Sequence, residues 1–427
     1  MKSLTIKSKT IISICLFVVL FVALVLVATY CDFEISKILT KNALKPGEYL
    51  ADDLYGVVGE AIGTSPIYIL LGVCTAILCW FFAKNFKDKK WGVALAVIFG
   101  LVGTVAWWYY IKDIMKYILE HAVNAANEIG SADAKAVYNF RDNVAVVTCQ
   151  VLVALTIQAL TVLALRPLKA ETLKKLVWWV VAALAACVLA NILIIIVKDP
   201  VGRMRFRAIN SSVGQNLIDA NLVPGFTRWY VRNGQPDEAI INKFIAEYPG
   251  ASDAFKSFPS GHTCAAGMSY ALIMLPDVVD FKHKKAGKIA CWVTPIVITM
   301  LVAISRIVVG AHYMSDVTFG GTFAFVSFII MREIFICKGS HFFALFPRLA
   351  PKKAVTLPAD IEVENAVETE EDDALETLTE ESVDETEIVN SVDPSDDKNE
   401  EIALCSEQAN KIGKEIADNL KDGVVIE

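Results

Sequence analysis

Apolar residues in this chain gather in unbroken runs, separated by short charged connections. Eight runs approach the roughly 20 residues a helix needs to cross a bilayer, at about 11–30, 66–83, 91–111, 144–165, 176–197, 263–280, 287–304 and 317–337. Each predicts a helix, because hydrocarbon offers no partner to backbone N–H and C=O groups and a helix pairs them internally. The sixth run is the least regular, since Pro276 and Asp277 interrupt its end. The expected fold is all-α: a polytopic membrane helical bundle of about eight transmembrane helices.

Composition supports that expectation and sharpens it. Over 427 residues the chain is 55% hydrophobic, with a mean hydropathy of +0.48. Its net charge of −7 averages two unlike regions. Residues 360–427 hold 24 acidic residues against four lysines, so this stretch carries about −20 and the rest about +13. The tail is poor in aromatic residues and is expected to be disordered, with no identifiable partner. Nothing points to a nucleic-acid partner.

The ten cysteines are scattered, without a C-x-x-C pair, and read as small core residues rather than metal ligands. Cys31 follows the first run and closes "ATYC", which lacks the small residue expected next to a processed cysteine, so the first run is expected to be a retained span.

Charge in the short connections sets the orientation. "KNFKDKK" (84–90), "RPLKAETLKK" (166–175) and "FKHKKAGK" (281–288) fall on the same side as "MKSLTIKSKT" at the N-terminus. By the positive-inside rule that side is cytoplasmic, so both termini are expected there. Loops 31–65, 112–143, 198–262 and 305–316 would lie outside. The compact loops favour a bacterial plasma membrane.

Those outer loops hold three polar clusters. The fifth run ends in "KDPVGRMRFR", carrying Lys198, Arg203, Arg205 and Arg207; the sixth opens on Pro259, Ser260, Gly261 and His262; the seventh ends in "SRIVVGAHYMSD", carrying Ser305, Arg306, His312 and Asp316. All three are predicted at one membrane face. Lys198, Arg205 and Arg306 supply cations suited to phosphate oxygens. Ser260 and Gly261 stand where a helix begins and its N–H groups can point at an anion. Two histidines remain for a nucleophile and an acid. Asp316, four residues after His312, is placed to orient that ring, which makes His312 the nucleophile candidate and His262 the general acid.

These residues resemble the signature of the type 2 phosphatidic acid phosphatase (PAP2) family, related to vanadium haloperoxidases: K-x6-R-P, then P-S-G-H, then S-R-x5-H-x3-D. Here they read Lys198-x6-Arg205, Pro259-Ser260-Gly261-His262 and Ser305-Arg306-x5-His312-x3-Asp316. The first departs from the pattern, with Phe206 in place of proline, which is expected to loosen that loop slightly. The resemblance covers about 175–337. It implies that His312 forms a phosphohistidine, that Asp316 supports it, and that His262 protonates the leaving alcohol. Lys198, Arg205, Ser260, Gly261 and Arg306 would bind the phosphoryl group. It implies no metal and no cofactor, and no carboxylate cluster stands near these motifs in sequence.

Three regions follow: 1–174, N-terminal helices and outer loops; 175–337, the catalytic membrane core; and 338–427, the acidic cytoplasmic tail. The expected activity is hydrolysis of lipid phosphate monoesters or polyprenyl diphosphates, with membrane lipids as the other contacts. Alternatives are a lipid phosphotransferase of the same fold and a non-catalytic phospholipid-binding protein. Residues 198–262 include Arg228, Trp229, Tyr230 and Arg232, candidates for reading a headgroup. His121, His283 and His341 read as solvated, and Trp107, Trp108, Tyr109, Tyr110, Trp178 and Trp179 as an interfacial belt.

Overall fold

The computed structural model describes residues 5–41, 54–123, 140–247, 253–281 and 283–349. The chain divides into two compact units, Met1–Lys352 and Lys353–Glu427. The second unit, and with it most of the expected disordered tail, lies outside the described residues. No strand occurs among the described residues.

Among the described residues, seven helices are long and apolar enough to cross a membrane. They include α1 (Ile6–Leu39), α2 (Leu54–Asn85), α3 (Lys89–Val123), α4 (Val144–Ala164) and α5 (Ala170–Val201). Short helices α6 (Phe206–Ile209), α7 (Ser212–Asp219) and α8 (Glu238–Glu247) follow, then α9 (Gly261–Ala266) and α10 (Ala271–Met274), with α11 (Lys284–Val308), α12 (Met314–Phe335) and α13 (Ser340–Leu345). The first three long helices overrun their predicted spans. Parts of the predicted outer loops 31–65 and 112–143 are therefore helical.

The sixth apolar run is no regular span. Residues 261–277 alternate α-helical and 3-10 turns: α9, then Gly267–Tyr270, α10, and Leu275–Asp277. This stretch still crosses the bundle, packed against α2, α11 and α12. Its first residues touch the start of α12, where the Ser260 N–H donates to the Asp316 carbonyl at 2.9 Å. At its last turn Asp277 accepts from Arg332, near the other end of α12, at 2.7 Å. Irregular backbone is tolerated at membrane depth when protein surrounds it. Here Cys264, Met268, Tyr270, Ile273 and Met274 are all buried, and the freed carbonyl of Ala271 accepts from the Trp179 indole at 2.9 Å.

The main core lies between α5, this segmented crossing and α12. Leu173, Leu176, Val180, Ala183, Cys187, Ala190 and Ile194 recur every three or four residues on one face of α5, as helical geometry demands of a buried stripe. Alanines at 182, 183, 186 and 190 let α12 approach closely. Outward faces are the reverse of a soluble protein's: Leu16, Val19, Val144 and Ile195 are more than half exposed. An apolar exterior of this extent belongs in lipid. The protein is a multi-pass membrane protein.

Several expectations need correction. Cys15, Cys31 and Cys149 are exposed on helix faces rather than in the core. Trp107 and Trp179 are buried, and Trp107 donates to Gln158 at 3.0 Å, so both tie helices together instead of forming a belt. His341 is not simply solvated, because its Nδ1 lies 2.9 Å from Glu333. The side chain of His121 lies outside the described residues.

Candidate active site

Helix α5 ends at Gly202, whose φ of +52° is left-handed. A side chain there would collide with the Gly234 carbonyl, so glycine is what lets the chain turn sharply out of the helix. The turn leaves Lys198 on the last helical turn and sends residues 203–207 across the end of the bundle. Phe206 does not loosen this loop. It is fully buried against Phe33 and Tyr313. Flanking backbone bonds, Arg205 N–H to Ala254 O at 2.8 Å and Arg207 N–H to Gly310 O at 2.9 Å, pin both sides.

Arg205 is clamped by Asp253, with Nη2 at 2.7 Å from the carboxylate and Nε donating to the Asp253 carbonyl at 2.9 Å. Lys198 approaches from α5: a Cβ added at Gly261 would stand 3.6 Å from its Nζ. Ser260 caps α9, its Oγ accepting from the Thr263 N–H at 3.3 Å. The first and second sequence clusters thus meet at the start of α9.

His312 sits in the turn between α11 and α12, 1% exposed. Its Nδ1 lies 2.6 Å from the Ser257 carbonyl oxygen. A carbonyl can only accept, so Nδ1 carries the proton and Nε2 keeps its lone pair. Burial, followed by the charges of Arg205 and Lys198, holds the ring's pKa well below the usual histidine value. The imidazole is neutral near pH 7, as a nucleophile requires.

Asp316 stands 3.6 Å from His312 Nδ1, beyond hydrogen-bond distance. Its Oδ2 accepts instead from Ser257 Oγ at 2.5 Å and from the Tyr313 N–H at 2.8 Å, closing the first turn of α12. Its Oδ1 accepts from Arg203 Nη1 at 2.7 Å. Arg203 is wholly buried, forks between Asp316 and Asp32 of α1, and lies over the Tyr313 ring at 3.9 Å. Ser315 completes the network, donating from its backbone to Asp32 at 2.9 Å.

Three residues of the N-terminal helices reach the site although no sequence motif marked them. Asp32 holds Arg203. Glu60 of α2 lies 3.0 Å from Arg306 Nη1 and 3.4 Å from His262 Nε2. The Tyr117 hydroxyl of α3 lies 3.3 Å from the same nitrogen. Acidic residues in or beside apolar runs were the available signal, since a charge at membrane depth is costly unless it has a partner. Asp253 and Ser257 lay in an irregular polar stretch without any such mark.

The expected absence of nearby carboxylates does not hold in space. Asp32, Asp316, Asp253 and Glu60 surround the site, each facing an arginine. Among the described residues, the side chains whose donor atoms cluster as metal ligands do are Glu333, Cys337 and His341. They lie near the other end of α12, where Glu333 accepts from the first N–H groups of α13. The headgroup candidates are partly committed elsewhere: Trp229 donates to Thr29 at 2.9 Å and packs on Phe258 and Phe319, and Arg228 donates to the Tyr230 hydroxyl.

The assembled site gathers two histidines, a lysine and several arginines at one end of a helical bundle, with an imidazole nitrogen that keeps its lone pair held beside cations. No curated protein and no solved structure matches the chain. A family model does match residues 211–336, a range that contains the P-S-G-H and S-R-x5-H-x3-D elements, His262, His312 and Asp316. The family model is that of the PAP2 superfamily, and the match is consistent with a phosphatase of that type.

Proposed function

We propose that the protein is a membrane phosphatase acting on lipid phosphate monoesters or polyprenyl diphosphates through a phosphohistidine on His312. The observation that carries this reading is the ring of His312, neutral, fixed through Nδ1 to the Ser257 carbonyl and set among the charges of Arg205, Lys198 and Arg306.

Nε2 of His312 attacks phosphorus and the bond to the leaving oxygen breaks. His262 gives that oxygen its proton. Water then attacks the phosphohistidine, His262 takes the proton back, and inorganic phosphate leaves. Lys198, Arg205, Arg306 and the Gly261 N–H hold the phosphoryl oxygens, whose charge grows as the bond breaks, while the Ser260 N–H, bonded to the Asp316 carbonyl, fixes the turn that presents them. Such a site at the end of the bundle meets a phosphate carried on a lipid without drawing the lipid from the bilayer.

The basic connections, read by the positive-inside rule, support an extracytoplasmic position for this end. A cysteine at exposed Leu222, in a variant lacking Cys31, is then labelled by an impermeant thiol reagent in intact cells; protection until lysis would put the site on the cytoplasmic side. Activity is tested by phosphate release from phosphatidate and from a polyprenyl diphosphate in detergent. The wild type releases phosphate and His312→Asn does not. Equal release by the two proteins would contradict the assignment, and phosphate transfer to an added alcohol in preference to water would favour the transferase.

A further inference from the structure

Glu60 stands where the sequence motifs leave a gap. The reaction asks His262 to carry a proton while Lys198, Arg205 and Arg306 all act on it electrostatically. Burial first, and then these three cations, oppose a further positive charge there. On the faces packed against His262, the opposing charge comes from α2, through Glu60, while α3 contributes the Tyr117 hydroxyl. Asp113 of α3 and Arg207 act on Glu60 in turn.

The placement is built in. Gly56, Gly59 and Gly63 share one face of α2, and a Cβ at these positions would meet Val309 Cγ1 at 1.8 Å, Ser305 Oγ at 2.0 Å and Val302 Cγ1 at 3.0 Å. The α2 backbone therefore lies directly on α11, close enough for the Gly56 carbonyl to accept from Arg306 Nη2. Glu60, beside these glycines, is delivered between Arg306 and His262 with its side chain only 23% exposed.

We propose that Glu60 is the positioning carboxylate of the general acid: it holds His262 through Nε2, so that Nδ1 is the nitrogen that gives its proton to the leaving oxygen. The inference rests on the phosphatase reading above. As the P–O bond breaks, the Nδ1 proton moves to the alkoxide oxygen, and His262 is left neutral with Nε2–H still donating to Glu60. Contacts of 3.3–3.4 Å are at the long end for hydrogen bonds, and catalytic contacts of this kind shorten in the transition state. Arg306, held by Glu60 and Gly56, is thereby aimed as well.

Glu60→Gln and Glu60→Asp test this beside wild type and His312→Asn, with two substrates: an alkyl phosphate monoester, whose leaving group needs a proton, and 4-nitrophenyl phosphate, whose leaving group does not. Glu60→Gln is expected to lower kcat/KM for the alkyl ester about tenfold or more, part of the 10²–10⁴ that general acid catalysis supplies. The aryl ester changes little, the loss grows toward high pH, and Glu60→Asp recovers part of it. Equal losses on both substrates would overturn the proposal. So would faster turnover with tighter inhibition by inorganic phosphate, which would make Glu60 a competitor for the anion site.

A second measurement needs no turnover. The ¹⁵N signal of His262, titrated in substrate-free protein, is expected to show protonation at lower pH in Glu60→Gln than in wild type; an unchanged midpoint would overturn the proposal. Phosphate release that survives in His312→Asn would instead strike His312 as the nucleophile and leave the His262 titration to decide the role of Glu60.

Discussion

Nδ1 of His312 lies 2.6 Å from the carbonyl oxygen of Ser257. The carboxylate of Asp316, the partner expected from the motif, is 3.6 Å away and hydrogen-bonds the Ser257 hydroxyl instead. Asp316 therefore acts on His312 largely through the 257–260 segment and through its own tie to Arg203.

The two partners should respond differently to substitution. Ser257→Ala keeps the carbonyl that orients the ring and removes one bond to a carboxylate, so stability falls by about 1.5–3 kcal/mol and kcat falls less than about tenfold. Asp316→Ala strips the Tyr313 N–H, Ser257 and Arg203 of their acceptor at once. Breaking a buried pair costs roughly 3–5 kcal/mol, and turnover is expected to fall below detection. Melting in detergent and steady-state rates check both; equal effects of the two variants would contradict this division of labour.

The neutral, buried state of His312 carries a pH signature. Its pKa in the folded protein lies well below the ordinary histidine value of about 6.5, so below about pH 6.5 the unfolded chain takes up a proton that the native state does not. Native stability falls as pH drops through that window, until the folded pKa is reached. In His312→Asn this contribution vanishes, and the decline in melting temperature between pH 7 and pH 5 should be shallower than in wild type. A steeper decline in the variant would mean that the native ring is charged.

Close packing of α2 gives a test remote from the chemistry. A methyl at Gly59 would fall 2.0 Å from Ser305 Oγ and 2.4 Å from its Cβ, whereas one at Gly100 of α3 meets only Cys79 Sγ at 3.8 Å. Gly59→Ala should destabilise by about 1–3 kcal/mol through overpacking and lower activity by shifting Glu60. Gly100→Ala should be neutral or stabilise by up to about 1 kcal/mol, the helix propensity difference. The reverse order would show that α2 does not bear on α11 as described.

Much of this was legible in the chain because membrane helices and phosphate chemistry both leave local marks. Long apolar runs marked seven helices, and the spacing from Arg306 to His312 to Asp316 marked a helix end, a turn and a helix start. What lies between distant segments was not legible. The segmented crossing at 261–277 reads as one apolar run, since burial by neighbours, not local preference, lets its backbone break regularity. Arg203 reads as one of several cations, yet it faces Asp32 and Asp316, and only contact with α1 explains that. Glu60 lay six residues before the second predicted run, with glycines around it that looked like loop until α2 proved helical from Leu54.

The central claim is that His312 Nε2 bonds to phosphorus. Wild-type protein in detergent, mixed for milliseconds with a ³²P-labelled lipid phosphate monoester and quenched in alkali, should yield a base-stable, acid-labile phosphate on the peptide that contains His312. His312→Asn should yield none. Label on another residue, or undiminished label in His312→Asn, would contradict the account.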